Sequence, residues 1–222
     1  ISFDITLKKI ECINKTGIRS VVMTTVSGVN IKEVPDIIDA VVKAGVNIFA
    51  FARYCPTEEG EDAGMTAEEY RHLLDTCYKK YKKYEEEGCQ TYFNKKDHLW
   101  TLYEYENGLF EIPDYAEEGV IYGGCNCGNS HLTILPTGDI YACRRVQNSK
   151  VGNVFEDRLA DVWVCQMEDY RDYDRFEKCS KCELKAWCRG CPAVANSFRG
   201  NFYDADPQCW KEVEGYESSF IR

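Results

Sequence analysis

Thirteen cysteines occur in this 222-residue chain, and seven of them follow one grammar: Cys125, Cys143, Cys179, Cys182, Cys188, Cys191 and Cys209. The first pair brackets Leu135-Pro-Thr-Gly-Asp139, which reads as a hairpin turn. The next four are separated by two, five and two residues, and the last stands alone in Asp206-Pro-Gln-Cys-Trp210. Thiols packed this densely need a common partner. With no secretion signal among these residues, the expectation is metal rather than disulfides. Zinc takes four ligands in a tetrahedron, and closely spaced pairs serve it. Iron–sulfur clusters also take four thiolates each, partly from a tight loop and partly from a distance. The run from Cys179 to Cys191 suits either metal. Cys125, Cys143 and Cys209 lie outside that run, which is more than a lone zinc ribbon needs and suits two clusters. Spacing therefore favours clusters over zinc, and zinc over reduced structural thiols.

The rest of the composition narrows the class. A hydrophobic content of 44% with 13% aromatic residues is globular. The net charge of −10 argues against nucleic acid or an anionic membrane as the main partner. No apolar run approaches the ~18 residues that a bilayer span needs, so a cytoplasmic protein is the default expectation. The chain opens on Ile1 in Ile-Ser-Phe-Asp-Ile-Thr-Leu7, which reads like the middle of something larger.

Two textures divide the sequence. Over 1–88, helical and strand patterns alternate. Phe3, Leu7, Ile10 and Ile13 make a helical stripe, and Ile18 to Val26 reads as a buried strand. Asn30 caps a helix from Ile31 to Lys43, and Val46 to Phe51 is the next strand. Thr66 with Glu69 forms a capping box for a long helix to about Glu87. Such alternation implies a parallel sheet covered by helices, with chemistry at the carboxyl ends of the strands. Those ends are Thr24-Thr-Val-Ser27 and Ala52-Arg-Tyr-Cys55. Residues 89–124 read as an aromatic, irregular connector, 125–213 as short elements and turns, and 214–222 as a tail. Within the third stretch, His131–Leu135 and Ile140–Ala142 pair as a hairpin, Leu159–Tyr170 is helical, and Pro192 opens a helix reaching Phe198.

The stretch from Gly124 to Trp210 closely resembles a SPASM domain, the auxiliary cluster-binding extension of radical S-adenosylmethionine enzymes. Cys125, Gly138 and Cys143 fit the opening of the family pattern, and Cys179, Cys182, Cys188, Cys191 and Cys209 its close. Leu132 to Cys143 looks like the family hairpin, and Val151-Gly-Asn-Val154 followed by Leu159 and Trp163 like its continuation. Two departures stand out. Two residues separate Cys188 from Cys191 where the family normally has three, and Cys127 occupies a position where relatives usually carry Ala. Residues 1–88 resemble the last part of the radical S-adenosylmethionine barrel, with Phe49 to Pro56 as sixth strand and following loop. The family's Cys-x3-Cys-x2-Cys cluster loop is not among these residues. The fold class expected is therefore α/β: the end of a partial (β/α)6 barrel followed by a small, cysteine-rich α+β SPASM domain. The chain is expected to be a portion of a larger enzyme, inactive on these residues alone.

The resemblance implies specific roles. A first auxiliary 4Fe–4S cluster would take Cys125, Cys143 and Cys191, with Cys127, a more distant residue or substrate at its fourth site. A second would take Cys179, Cys182, Cys188 and Cys209. S-adenosylmethionine and a third 4Fe–4S cluster belong to the complete enzyme. Arg53 is a candidate for the carboxylate of S-adenosylmethionine, with a solvated rim residue as the bland reading, and Thr25 and Ser27 for its ribose. Cys55 reads as a structural thiol near the substrate entry, and Cys12, Cys77, Cys89 and Cys165 as non-ligands. Arg144-Arg145, following Cys143, would stabilise a reduced cluster, bind an acidic substrate group or form structural ion pairs.

The function implied is hydrogen abstraction by a 5′-deoxyadenosyl radical, with auxiliary clusters accepting electrons or binding substrate. The favoured outcome is modification of a ribosomally made peptide, in particular a Cys thioether cross-link. Partners would be the precursor peptide or protein and a reductant such as flavodoxin or ferredoxin. The alternatives are sulfatase maturation or tailoring of a haem or quinone precursor and, in another class, a zinc-stabilised binding module.

Overall fold

The computed structural model describes residues 2–56 and 64–217. The residues of the expected tail beyond 217, and those between Pro56 and Gly64, lie outside the described residues. The first half is built on three parallel strands in the order β1 (Val21–Val26), β2 (Ile48–Arg53), β3 (Tyr92–Asn94). Helices α1 (Ser2–Asn14), α2 (Val34–Lys43), α3 (Ala67–Glu86) and α4 (Leu99–Glu106) connect and cover them. Strand β2 reads Ile-Phe-Ala-Phe-Ala-Arg without alternation because it is central, and both its faces are covered.

Strand β1 departs from expectation. It was expected to be buried, yet Val21 and Met23 are exposed while Val26 is fully buried. It is an edge strand, and only its even-numbered side chains reach the apolar core with Phe49, Phe51 and Ile38. Asn30 does not cap a helix either. Its side chain accepts from the Ser27 amide and donates to the Thr25 carbonyl. A 3-10 turn (Ile31–Glu33) then delays α2 until Val34. The capping box of Thr66 and Glu69 is present as read.

The connector holds more order than its composition suggests. It contributes β3, whose Phe93 stacks on Tyr81 at 4.2 Å, and α4, which buries Leu99, Trp100, Leu102 and Tyr103. Leu184 and Cys188 join the same apolar cluster, so the two halves share a core.

The second half starts from an antiparallel sheet of β4 (Thr133–Ile134), β5 (Asp139–Tyr141) and β6 (Lys150–Asn153). The β4–β5 turn bonds the Gly138 amide to the Leu135 carbonyl at 2.9 Å, and Gly138 takes φ +85°, a type I turn closed by a left-handed residue. The helix expected over Leu159–Tyr170 is broken into one α turn, α5 (Leu159–Asp161), a π turn (Val162–Gln166) and a 3-10 turn (Glu168–Arg171). The Arg171 guanidinium takes the carbonyls of Trp163 and Val164, which a regular helix would need for its own amides. Helix α6 (Pro192–Arg199) starts on proline and ends at Gly200, φ +81°. No helix among the described residues is long and apolar enough to cross a membrane.

One buried cation locks the halves together. The Arg53 side chain, at the end of β2, is wholly buried. Its Nε donates to Asp97 at 2.9 Å, Nη1 to Asp206 (2.6 Å) and Gln208 (3.0 Å), and Nη2 to Asp97 (3.2 Å) and Asp206 (2.8 Å). All five guanidinium donors are used. Removing one member of such a cluster strands buried charge, so Arg53→Met is expected to cost about 3–5 kcal/mol. Denaturant melts of the metal-loaded protein check this, and a loss below about 1 kcal/mol would mean that solvent reaches the carboxylates. Burial opposes the charge of Asp97, but Arg53 overcomes it and leaves its pKa below the usual value. That stability is complete above the unfolded carboxylate's pKa and is lost as pH falls through the lower folded value. Acid unfolding is therefore expected below about pH 4, and Asp97→Asn should flatten that dependence.

Candidate metal centres

Cys179, Cys182, Cys188 and Cys209 line a single cavity with Leu102, Leu184, Gly190, Lys178 and Lys211. Successive tight turns bring them there. The Cys182 amide bonds to the Cys179 carbonyl, Cys188 to Leu184, and Cys209 to Asp206. Burial first, then the thiolates of Cys209, Cys188 and Cys182, hold the Cys179 pKa well above its ordinary value. Burial likewise pushes Cys188 up to about 12. Buried thiols such as Cys179 and Cys188 do not ionise together without a cation to bind them, so metal uptake would displace their protons. Lys178 is buried beside them, its ammonium donating to the Cys209 carbonyl at 3.0 Å.

The second group comprises Cys125, Cys127, Cys143 and Cys191, packed about one apolar cluster with Met167, Phe176 and Phe202. Burial raises the Cys125 pKa to about 11, with Cys191 and Cys143 adding to it. The Cys127 amide donates to the Cys125 sulfur at 3.5 Å, and the Cys127 thiol to the Ala142 carbonyl at 3.2 Å. Arg189 fastens this loop through the carbonyls of Gly123 and Cys125. Among the described residues no three His, Cys, Asp or Glu close around a single ion. A tetrahedral zinc with Zn–S near 2.3 Å would draw its sulfurs to about 3.8 Å of one another. The Cys179 group lines a volume instead of a point, and sulfur-only donors around a volume fit a cluster.

The strand ends face the second group. Cys55, two residues beyond β2, is buried in the same cluster as Cys191. Arg145 donates to Cys55 (3.2 Å), to the Arg53 carbonyl (3.3 Å) and to Cys191 (3.1 Å). The neighbouring Cys55 thiol, then Arg145 and Arg53, hold the Cys191 thiol below its ordinary pKa against the effect of burial. Sequence reasoning undervalued Cys55 and missed Asp97, Asp206, Gln208 and Lys178. Its signal for Asp206 was there, an acid three residues before an expected ligand.

Arg53 is the clear correction. It is neither a rim residue nor free for a ligand carboxylate, because Asp97, Asp206 and Gln208 occupy every donor. Thr25 and Ser27 lie at the same carboxyl end of the sheet, next to the Val26–Arg53 register pair, with Thr25 exposed and Ser27 half-buried. Arg144 is exposed, so Arg145 alone of that pair turns toward the sulfurs. Cys12 and Cys165 are exposed, and Cys77 is buried within α3.

Residues 125–192 match the profile of the SPASM family, an iron–sulfur cluster-binding domain. The chain carries a SPASM domain. It follows the closing strands of a radical S-adenosylmethionine fold, and domains of this kind bind iron–sulfur clusters. The chain is 25% identical over 218 residues to the AdoMet-dependent heme synthase of Oleidesulfovibrio alaskensis, covering 94% of this chain and 55% of that protein. It is 24% identical over 228 residues to the mycofactocin maturase MftC of Mycolicibacterium smegmatis, covering 97% and 52%. In structure it resembles Streptococcus suis SuiB bound to precursor peptide SuiA, with TM-score 0.66, 20% identity and coverage of 94% and 48%. It also resembles anSMEcpe with bound AdoMet, with TM-score 0.66, 15% identity and coverage of 93% and 54%. The chain thus spans between about half and three fifths of the curated relatives' length.

Within the shortened Cys188-Arg-Gly-Cys191 link, the glycine is sterically required. Gly190 holds φ +59°, and a Cβ there would sit 2.6 Å from the Asp206 side chain. Gly190→Ala is expected to lose about 2 kcal/mol from the left-handed backbone alone, and further stability through displacement of Asp206. Urea melts check this, and an unchanged midpoint would show that the loop relaxes freely.

Proposed function

We propose that this chain is the C-terminal part of a radical S-adenosylmethionine enzyme that modifies a ribosomally made peptide. Cys179, Cys182, Cys188 and Cys209 hold one auxiliary 4Fe–4S cluster. Cys125, Cys143 and Cys191 hold the other, with Cys127 completing its donor set. The single observation behind this reading is that four cysteines from three separate turns line one cavity. When bound, such clusters take up and release single electrons. The chain's own residues bury the sulfurs, set cations beside them (Lys178, Lys211 and Arg145) and fix the strand ends against the group that contains Cys191. Thr25 and Ser27 are the residues in reach of an S-adenosylmethionine ribose at the sheet's carboxyl end. Electrons would come from a flavodoxin- or ferredoxin-type reductant.

Peptide modification is supported by the fold shared with SuiB, solved with its precursor peptide, and by the similarity to a maturase. Formation of a thioether at a substrate Cys is the finer proposal, since a thiolate is a soft ligand for iron. The second reading is a haem-type precursor. Relatives named AdoMet-dependent heme synthase and Fe-coproporphyrin III synthase favour it.

Two measurements test the reading. Anaerobic iron, sulfide and zinc analysis should give about eight irons for this portion, with matching sulfide. Cys182→Ala and Cys209→Ala should each lose about one cluster's iron, and full iron in both would overturn the assignment. The full-length protein should then release 5′-deoxyadenosine from S-adenosylmethionine under reduction. Mass loss of two hydrogens from a precursor peptide supports the first substrate, and turnover of iron-coproporphyrin the second.

A further inference from the structure

Cys55 and Arg145 belong to neither expected ligand set, yet the Arg145 guanidinium bonds to the sulfurs of both Cys55 and Cys191. We propose that Arg145, anchored on Cys55 and on the Arg53 carbonyl, clamps the Cys191 sulfur, and that the loop after β2 thereby raises the reduction potential of the first auxiliary cluster. This rests on Cys191 being a cluster ligand, as proposed above.

The geometry gives Cys55 a supporting role. One guanidinium spans the two sulfurs, with Nη2 donating to Cys191 at 3.1 Å and Nη1 to Cys55 at 3.2 Å. Cys55 thus accepts from the same Arg145 that reaches Cys191. The Arg53 carbonyl accepts a further bond from Nη1 at 3.3 Å and keeps the plane of the guanidinium facing both sulfurs.

The effect follows from charge. One-electron reduction makes the cluster one unit more negative, with no bond formed or broken. A cation donating to a ligand sulfur stabilises the reduced state more than the oxidised one. The pair is partly buried, so solvent screens it less than a surface cation. Because Cys55 and Arg53 sit at a strand end and Arg145 on the hairpin side, the device makes the cluster's potential depend on how the two halves are seated.

The test uses the full-length protein with its clusters loaded anaerobically. Iron and sulfide are measured for Arg145→Gln, Cys55→Ala and Cys55→Ser, and each cluster's midpoint potential is read by titration followed by electron paramagnetic resonance. Iron should remain at the wild-type content in all three. One midpoint should fall in Arg145→Gln and fall less in Cys55→Ala, while Cys55→Ser, which keeps an acceptor for Arg145, should stay near wild type. Unchanged midpoints with full iron would overturn the clamp. Loss of one cluster's iron in Cys55→Ala would overturn it differently, by making Cys55 a ligand. Absence of iron from the wild-type protein would instead sink the cluster reading on which the clamp rests.

Discussion

The buried guanidinium of Arg53 is the constraint on which the rest of this structure depends. Isolated in an apolar interior, such a charge would cost many kcal/mol. Here Asp97 arrives from the segment before α4 and Asp206 from the approach to Cys209. The Asp206 carboxylate is engaged a second time by the amide of Cys191 at 2.7 Å, and a third time by the amide of Gln208. A strand end, a loop of one cysteine group and the final turn of the other therefore converge on one carboxylate. Movement of any of the three would break charged hydrogen bonds in a dry environment, where they are strongest.

The same economy governs the cysteine groups. The chain carries an excess of acid overall, yet apart from Arg53 the buried cations among the described residues lie where sulfurs do, with half-buried ones beside them. Lys178 and Lys211 stand at one group, and Arg145 and Arg189 at the other. Arg189 also lies over the Tyr173 ring at 4.7 Å, which lets a planar cation remain buried with few carboxylates near it. A cluster bound by four thiolates is anionic, and these side chains supply the opposing charge before any metal arrives. Most acidic residues other than Asp97 and Asp206 face water, so the net charge says little about the field at the sites.

Much of this was legible in the sequence because it is local. The capping box at Thr66, the Gly138 turn and the proline start of α6 each follow from a few adjacent residues. The cysteine spacing likewise encodes which sulfurs share a turn. What escaped was set by contacts distant along the chain. Nothing near Arg53 announces that Asp97 and Asp206 will close over it, and an Arg at a strand end reads naturally as a ligand contact. Strand β3 is three residues long and carries no periodicity, so only its partner β2 defines it. The break after Leu159 depends on Arg171 capturing two carbonyls, which no propensity scale records. Cys55 looked incidental because its significance lies in Cys191, far away in sequence.

The shared core carries a consequence for how electrons could move. Leu184 and Cys188 pack into the same cluster as Leu99, Trp100 and Leu102, and Cys55 of the sheet joins the cluster around Cys127 and Cys191. The SPASM half is therefore not a module swinging on a linker. Its cysteine groups are held at fixed places relative to the carboxyl ends of β1 and β2, where ligands of parallel sheets bind. An electron acceptor is useful only at a short and constant distance from the reacting atoms, and a flexible tether would supply neither. Apolar packing fixes that distance, and the Arg53 cluster fixes its orientation. The acceptor's strength is then free to be adjusted by the few polar groups left at the seam.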